Sequence, residues 1–177
     1  WSGRVLIPQE ASDHAIHRFN QRVMNDVVMK PINLSSVPNL IRKVQAKGLY
    51  VISNFIIGFP GESWSEIRET VRFAENCGAD YVKLFIAVPL KGTKMWDMAQ
   101  QLGAFHVPED QIEVNWRFSQ ITSNDWTAKD ISILRAYEWD RINFSTPERC
   151  RRVSEIWGIS ETELADIRKL TCKKIQK

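Results

Sequence analysis

The sequence predicts an α/β fold in which parallel strands alternate with helices, followed by an all-helical C-terminal extension. Three observations carry this expectation. There are three short runs of branched and aromatic apolar residues, each is followed by apolar residues at helical spacing, and the rhythm stops at Gly103. Strands separated by helices are joined by crossovers, which make a parallel sheet. Three such units amount to half of an eight-stranded barrel or to part of an open sheet, and the pattern alone fits both.

Residues 5–7 read as a short buried strand, and residues 13–29 as a helix with Ile16, Phe19, Val23 and Val27 at helical spacing. A second helix opens at Ser35 or Ser36, carries Pro38 in its first turn, sets Leu40, Ile41 and Val44 on one face and stops at Gly48. Residues 49–57 are apolar nearly throughout, as expected of a strand covered on both faces, and Phe59, Pro60 and Gly61 end it. Ser63 and Glu66 have the spacing of a capping box, and Ile67, Val71 and Ala74 form the inward stripe of a helix running to Gly78. Residues 81–88 make the third strand, closed by Pro89, and Met95, Met98, Ala99 and Leu102 mark the helix after it.

These units define a first region, residues 1–103. Residues 104–126 show no dependable periodicity and read as a linking loop, and residues 127–177 as the helical extension. Thr127 with Asp130, Thr146 with Pro147, and Ser160 with Glu163 mark three helix starts there.

At 177 residues, 44% hydrophobic and 25% charged, the chain can bury one core and does not have a disordered composition. Its longest uncharged apolar run, residues 49–60, is too short to cross a bilayer and no secretory leader pattern opens the sequence, so the default expectation is a cytoplasmic protein without a membrane span. Cys77, Cys150 and Cys172 are odd in number and widely spaced, which fits reduced thiols rather than a zinc or disulfide framework. The net charge of +3 resides after Thr146, where eight Lys and Arg face five acids; on helices this reads as a solvated face, and nucleic acid is not the expected partner. Because Trp1 comes first and a strand follows almost at once, the expectation is a truncated start, with the upstream neighbours of that strand in the missing part.

In parallel β/α architectures ligands gather at the carboxyl ends of the strands, where loops converge and helix amino termini offer free amides. Three segments qualify: residues 9–12 with Glu10 and Ser12, residues 58–62 with Gly58 and Gly61, and residues 89–93 with Pro89 and Gly92. Glycine permits close backbone approach or a positive φ, and Glu10 offers an acceptor to an ammonium or a ribose hydroxyl. His14 and His17 lie three apart on a helix, but no third metal ligand has a fitting position nearby, so they read as surface residues.

The stretch from Asn54 to Ser63, Asn-Phe-Ile-Ile-Gly-Phe-Pro-Gly-Glu-Ser, followed by Glu69-Thr70, resembles the fifth-strand signature of radical S-adenosylmethionine enzymes. Its context is similar too, with Glu10 where the family often has an acidic Ser-Gly-Ser run, Lys30 at a usual lysine position, and Pro89 with Gly92-Thr93 where Pro-x-x-Gly-Thr is common. The resemblance covers residues 5–103 and implies the C-terminal half of a partial, TIM-like parallel β/α barrel. It departs from the family at Ala-Ser-Asp after Glu10 and at Asn54, where a glycine often stands.

Carried over, the resemblance implies S-adenosylmethionine as cofactor, with Ile56, Gly58, Val88 and Pro89 around its adenine and Glu10, with Ser12, at its ribose or methionine part. The Cys-x-x-x-C-x-x-C loop that holds a [4Fe-4S] cluster in that family does not occur in this sequence, so the cluster ligands would lie in a missing N-terminal half of the same polypeptide. Neither catalytic nor metal-binding residues are expected in this chain. Residues 134–144 are similar, more loosely, to tails of cobalamin-binding members, which implies cobalamin as a further cofactor and a cobalamin-dependent methyltransferase or rearrangement enzyme ahead of a methylthiotransferase or tRNA-modifying relative. The substrate would be a small molecule or a modified macromolecule. Two rival expectations remain: a cluster-free binding or scaffold module, and a non-radical barrel enzyme holding a phosphorylated metabolite at the helix starts near Ser63 and Thr93.

Overall fold

A computed structural model describes residues 33–175. The strand and helix expected at residues 5–7 and 13–29, and with them Glu10, Ser12, His14, His17 and Lys30, lie outside the described residues.

A 3₁₀ turn, Leu34–Ser36, leads into helix α1, Val37–Gln45. Asn33 caps the turn by accepting the Ser35 N–H, and Pro38 occupies the first turn of α1, where a missing N–H costs nothing. Val37 and Ile41 are buried, whereas Leu40, expected on the same face, is exposed. Strand β1, Ile52–Ile57, is followed by helix α2, Trp64–Asn76, and by strand β2, Tyr81–Ile86, which pairs with β1 in parallel from Ile52↔Tyr81 to Ile57↔Ile86. Both halves of the capping box expected at Ser63 and Glu66 are present at the start of α2. Helix α3, Lys94–Gln101, opens on Thr93, whose hydroxyl accepts the Trp96 N–H.

Residue alternation splits the sheet into two unlike faces. Ser53, Phe55 and Ile57 on β1, registered with Val82, Leu84 and Ile86 on β2, are buried, and Phe55 and Leu84 pack with Val71 and Ala74 of α2. On the opposite face Ile52, Asn54, Ile56 and Phe85 are only half-buried and Lys83 is exposed, while Tyr81 is buried against Trp157. The sequence predicts a strand covered on both sides; among the described residues one side is covered, and β2 is the one strand neighbour of β1.

Residues 104–126 hold one 3₁₀ turn, Glu109–Gln111, and a single antiparallel bridge between Phe105 and Ile121. Ile121 and Trp126 are nevertheless buried in a core with Ile57, Ile67 and Ile86. Three helices follow: α4, Ala128–Phe144, α5, Pro147–Trp157, and α6, Glu161–Ile175. They open on the predicted signals, a capping box at Thr127 and Asp130, Thr146 before Pro147, and reciprocal Ser160–Glu163 bonds.

Helix α4 occupies the place a further strand would take beside β2. Asn143, fully buried, accepts the Val82 N–H and donates to the Val82 carbonyl, both at 2.8 Å; Arg135 Nε donates to the Leu84 carbonyl at 3.0 Å; and the Ile86 N–H reaches the Trp116 carbonyl at 3.0 Å. Side chains and a loop carbonyl thus satisfy an edge that would otherwise be open to another strand. Buried Glu138 pairs with Arg68 of α2 and with Arg141, which also grips Glu75, so the helix is tied to both layers. The described residues therefore form an α/β architecture of six α-helices and a two-stranded parallel sheet. It is not a complete barrel, and it is compatible with a partial one.

Candidate functional site

The parallel register brings the exits of β1 and β2 side by side. The Ala87 N–H donates to the Ile57 carbonyl at 2.9 Å, continuing the ladder one step past the strands, so Gly58 emerges next to the segment leading to Val88 and Pro89. Of the four expected adenine contacts that are described, Ile56 is half-buried on the open face, while Gly58, Val88 and Pro89 are buried.

Residues 58–62 form a turn organised by one carboxylate. Glu62, 2% exposed, folds back so that its Oε2 accepts the Gly58 N–H at 2.8 Å and the Phe59 N–H at 2.9 Å. Its own N–H donates to the Phe59 carbonyl and its carbonyl accepts Trp126 Nε1 at 2.7 Å. Gly58 has φ +78°, and a Cβ added there would come within 2.9 Å of Ile131 Cγ2. The glycine thus meets two demands of the fold, a left-handed conformation and a close helix approach. Its N–H is already engaged, so what Gly58 can offer a ligand is shape rather than a donor.

Along β2, from Tyr81 to Phe85, the strand forms one wall of a cavity of about 790 Å³. Phe85, the registered neighbour of Ile56, lies in that wall. Residues 114–118, α4, Trp157 of α5 and α6 complete the lining. Among the described residues its cations are Lys83, Arg117 and Arg135, and no Asp or Glu lines it. Burial pushes the Arg135 guanidinium below its ordinary value, and the neighbouring Arg117 charge pushes the same way. Tyr81 accepts Trp139 Nε1 at 2.8 Å, and burial pushes its phenol up to about 12. Sequence reading missed Lys83, Arg117 and Arg135; the one available signal was the alternation of Trp116, Arg117 and Phe118 in a stretch that otherwise lacks a pattern.

The thiols are dispersed. Cys77, buried at the end of α2, donates to the Ala74 carbonyl, burial pushes its pKa up, and Cys150 and Cys172 lie on α5 and α6. The three do not fit the ligand set of an iron–sulfur cluster. For an adenine, half-buried Ile56 beside Phe85 provides a fitting apolar surface.

No family model matches the chain. Short segments are similar to methyltransferases and methylthiotransferases. An uncharacterized methyltransferase of Pyrococcus horikoshii is 37% identical over 59 residues, covering 33% of this chain and 13% of that protein. The cytidylyl-2-hydroxyethylphosphonate methyltransferase of Streptomyces wedmorensis is 33% identical over 104 residues, 55% of this chain and 19% of the relative. The ribosomal protein uS12 methylthiotransferase RimO of Leptospira biflexa is 41% identical over 54 residues, 30% of this chain and 12% of the relative. The matches thus span less than a fifth of the length of each of these curated relatives. No helix among the described residues is long and apolar enough to cross a membrane.

Proposed function

We propose that this chain is the cofactor- and substrate-facing C-terminal part of a radical S-adenosylmethionine enzyme that transfers a methyl or methylthio group. One observation carries the reading: the Ile56-Ile57-Gly58-Phe59-Pro60-Gly61-Glu62 stretch ends a parallel strand beside the exit to Val88 and Pro89, the position at which open β/α architectures hold ligands. The names of the similar methyltransferases and methylthiotransferase agree with it.

When bound, S-adenosylmethionine at a [4Fe-4S] cluster supplies reductive carbon–sulfur bond cleavage, with the cluster ligands outside this chain and cobalamin as a further cofactor of the parent enzyme. Ile56 gives the adenine an apolar surface, Gly58 lets the backbone turn away tightly beneath it, and Val88 with Pro89 shape the neighbouring exit. Glu62 holds the loop closed through two backbone N–H groups, a positioning role. Glu10 and Ser12 take the ribose or methionine part.

The test is anaerobic iron and sulfide analysis, with electron paramagnetic resonance, on the full-length gene product that contains this chain. A four-iron signal altered by S-adenosylmethionine is expected, and Ile56→Asp should weaken cofactor affinity by on the order of tenfold, about 1.4 kcal/mol. Absence of both cluster and S-adenosylmethionine binding in the wild-type protein would overturn the reading.

A further inference from the structure

The cavity along β2 has a chemistry that the cofactor reading does not use. Among the described residues, Lys83, Arg117 and Arg135 line it with no Asp or Glu beside them in the lining, and none of the three forms an ion pair. Four other arginines, Arg68, Arg141, Arg152 and Arg168, do have carboxylate partners. Arg135 spends its Nε–H on the Leu84 carbonyl, which fixes the guanidinium against β2, while its two terminal nitrogens make no hydrogen bond among the described residues. Arg117 stands near enough to disfavour the Arg135 charge, so an anion placed between them would relieve a repulsion as well as gain two partners.

Much of the remaining described lining is aromatic, with Leu84, Val114, Ile167 and Leu170 adding aliphatic surface. Phe85 and Trp116 meet edge to face with centroids 6.4 Å apart, and Trp116 and Phe118 remain 44% and 40% exposed. Large aromatic side chains left open beside unmatched cations are what a planar anionic ligand requires: ring faces to stack on and guanidinium donors for its charge. About 790 Å³ lies within the usual range of small-ligand pockets, roughly 300–1,000 Å³.

We propose that this cavity binds a small organic anion carrying a planar ring, of the size and charge of a mononucleotide, with Arg117 and Arg135 on the anionic group and Phe85, Trp116 and Phe118 on the ring. That the ligand is the substrate of the enzyme rests on the function proposed above, because Phe85 adjoins Ile56; that the cavity binds it does not.

The experiment is isothermal titration of the full-length protein with AMP and CMP, each set against its nucleoside and against inorganic phosphate, at low and high salt. Both nucleotides should bind at least about tenfold more tightly than nucleosides or phosphate, with affinity falling as salt rises. Arg117→Gln, a substitution on an exposed side chain, should remove about tenfold of nucleotide affinity, and Phe118→Ala should weaken nucleotide and nucleoside alike. Arg135→Gln should do at least as much as Arg117→Gln, with circular dichroism reporting whether β2 keeps its edge. Equal binding of nucleotide and nucleoside, unchanged affinity in Arg117→Gln, or binding confined to single-stranded oligonucleotides would each overturn the proposal. S-adenosylmethionine titrated in parallel separates the two readings: its loss with nucleotide binding intact would sink the cofactor assignment alone, and the reverse would sink this one alone.

Discussion

Gly58 shows how a residue expected at a ligand site also answers to the fold. Its φ of +78° and the 2.9 Å approach of Ile131 Cγ2 to a built Cβ act independently, one on the backbone and one on packing. Gly58→Ala should therefore destabilise the protein by about 1–3 kcal/mol from the backbone alone, with the Ile131 contact adding to it. Denaturant unfolding of Gly58→Ala and of the same change combined with Ile131→Ala checks this. Full recovery in the double variant would show that the φ requirement contributes nothing. Tyr81 makes a second prediction. Its folded pKa is raised to about 12 from an ordinary 10, so the neutral phenol favours the folded state, and the contribution is complete below about pH 10 and lost as pH rises through 12. Melting temperature should fall over that alkaline range, and the fall should be shallower in Tyr81→Phe; identical pH profiles would contradict the assignment.

At the scale of elements, the starts of helices were legible and the closure of the sheet was not. Capping boxes at Ser63/Glu66 and Thr127/Asp130 are contacts between residues three apart, so the chain writes them locally. Asn143 acting as the partner of Val82 joins residues 61 positions apart, and no local pattern announces it. Ile121 and Trp126 are buried at isolated points of an aperiodic stretch, where no periodicity could mark them. Likewise, Ile56 and Gly58 could be proposed as site residues from the sequence because a contiguous motif carries them. Lys83, Arg117 and Arg135 come from a strand, a loop and a helix, and converge only in three dimensions. The edge contact gives its own prediction: Asn143→Ala strands the Val82 N–H and carbonyl in a dry interior, at roughly 1–3 kcal/mol for each orphaned group. Urea unfolding should show that loss, and hydrogen exchange at the Val82 amide should accelerate. An unchanged Val82 amide would mean that Asn143 does not hold the edge.

For the whole molecule, the question is whether the sheet region and the helical extension behave as separable units. Apart from an exposed stripe at Lys129, Ile133 and Tyr137, helix α4 is largely buried, with Ile131 and Leu134 in the core that contains Ile57 and Ile86, and Trp139, Ile142 and Phe144 in the core that contains Phe55 and Leu84. A helix of that kind is an interior element rather than an appended one. It also completes the hydrogen bonding of β2, and through Glu138 and Arg141 it anchors α2. Removing it would expose two apolar cores and open a strand edge at once, a loss well beyond the roughly 5–15 kcal/mol that hold a domain folded. The full-length protein cut after residue 126 should therefore lose the cooperative melt of this region, whereas in the intact protein tryptophan fluorescence and far-ultraviolet circular dichroism should report the same midpoint for it. A truncated protein that keeps a sharp transition and the slow exchange of the Phe55 and Leu84 amides would show that the sheet region stands without α4, and that the extension is a separate domain resting on it.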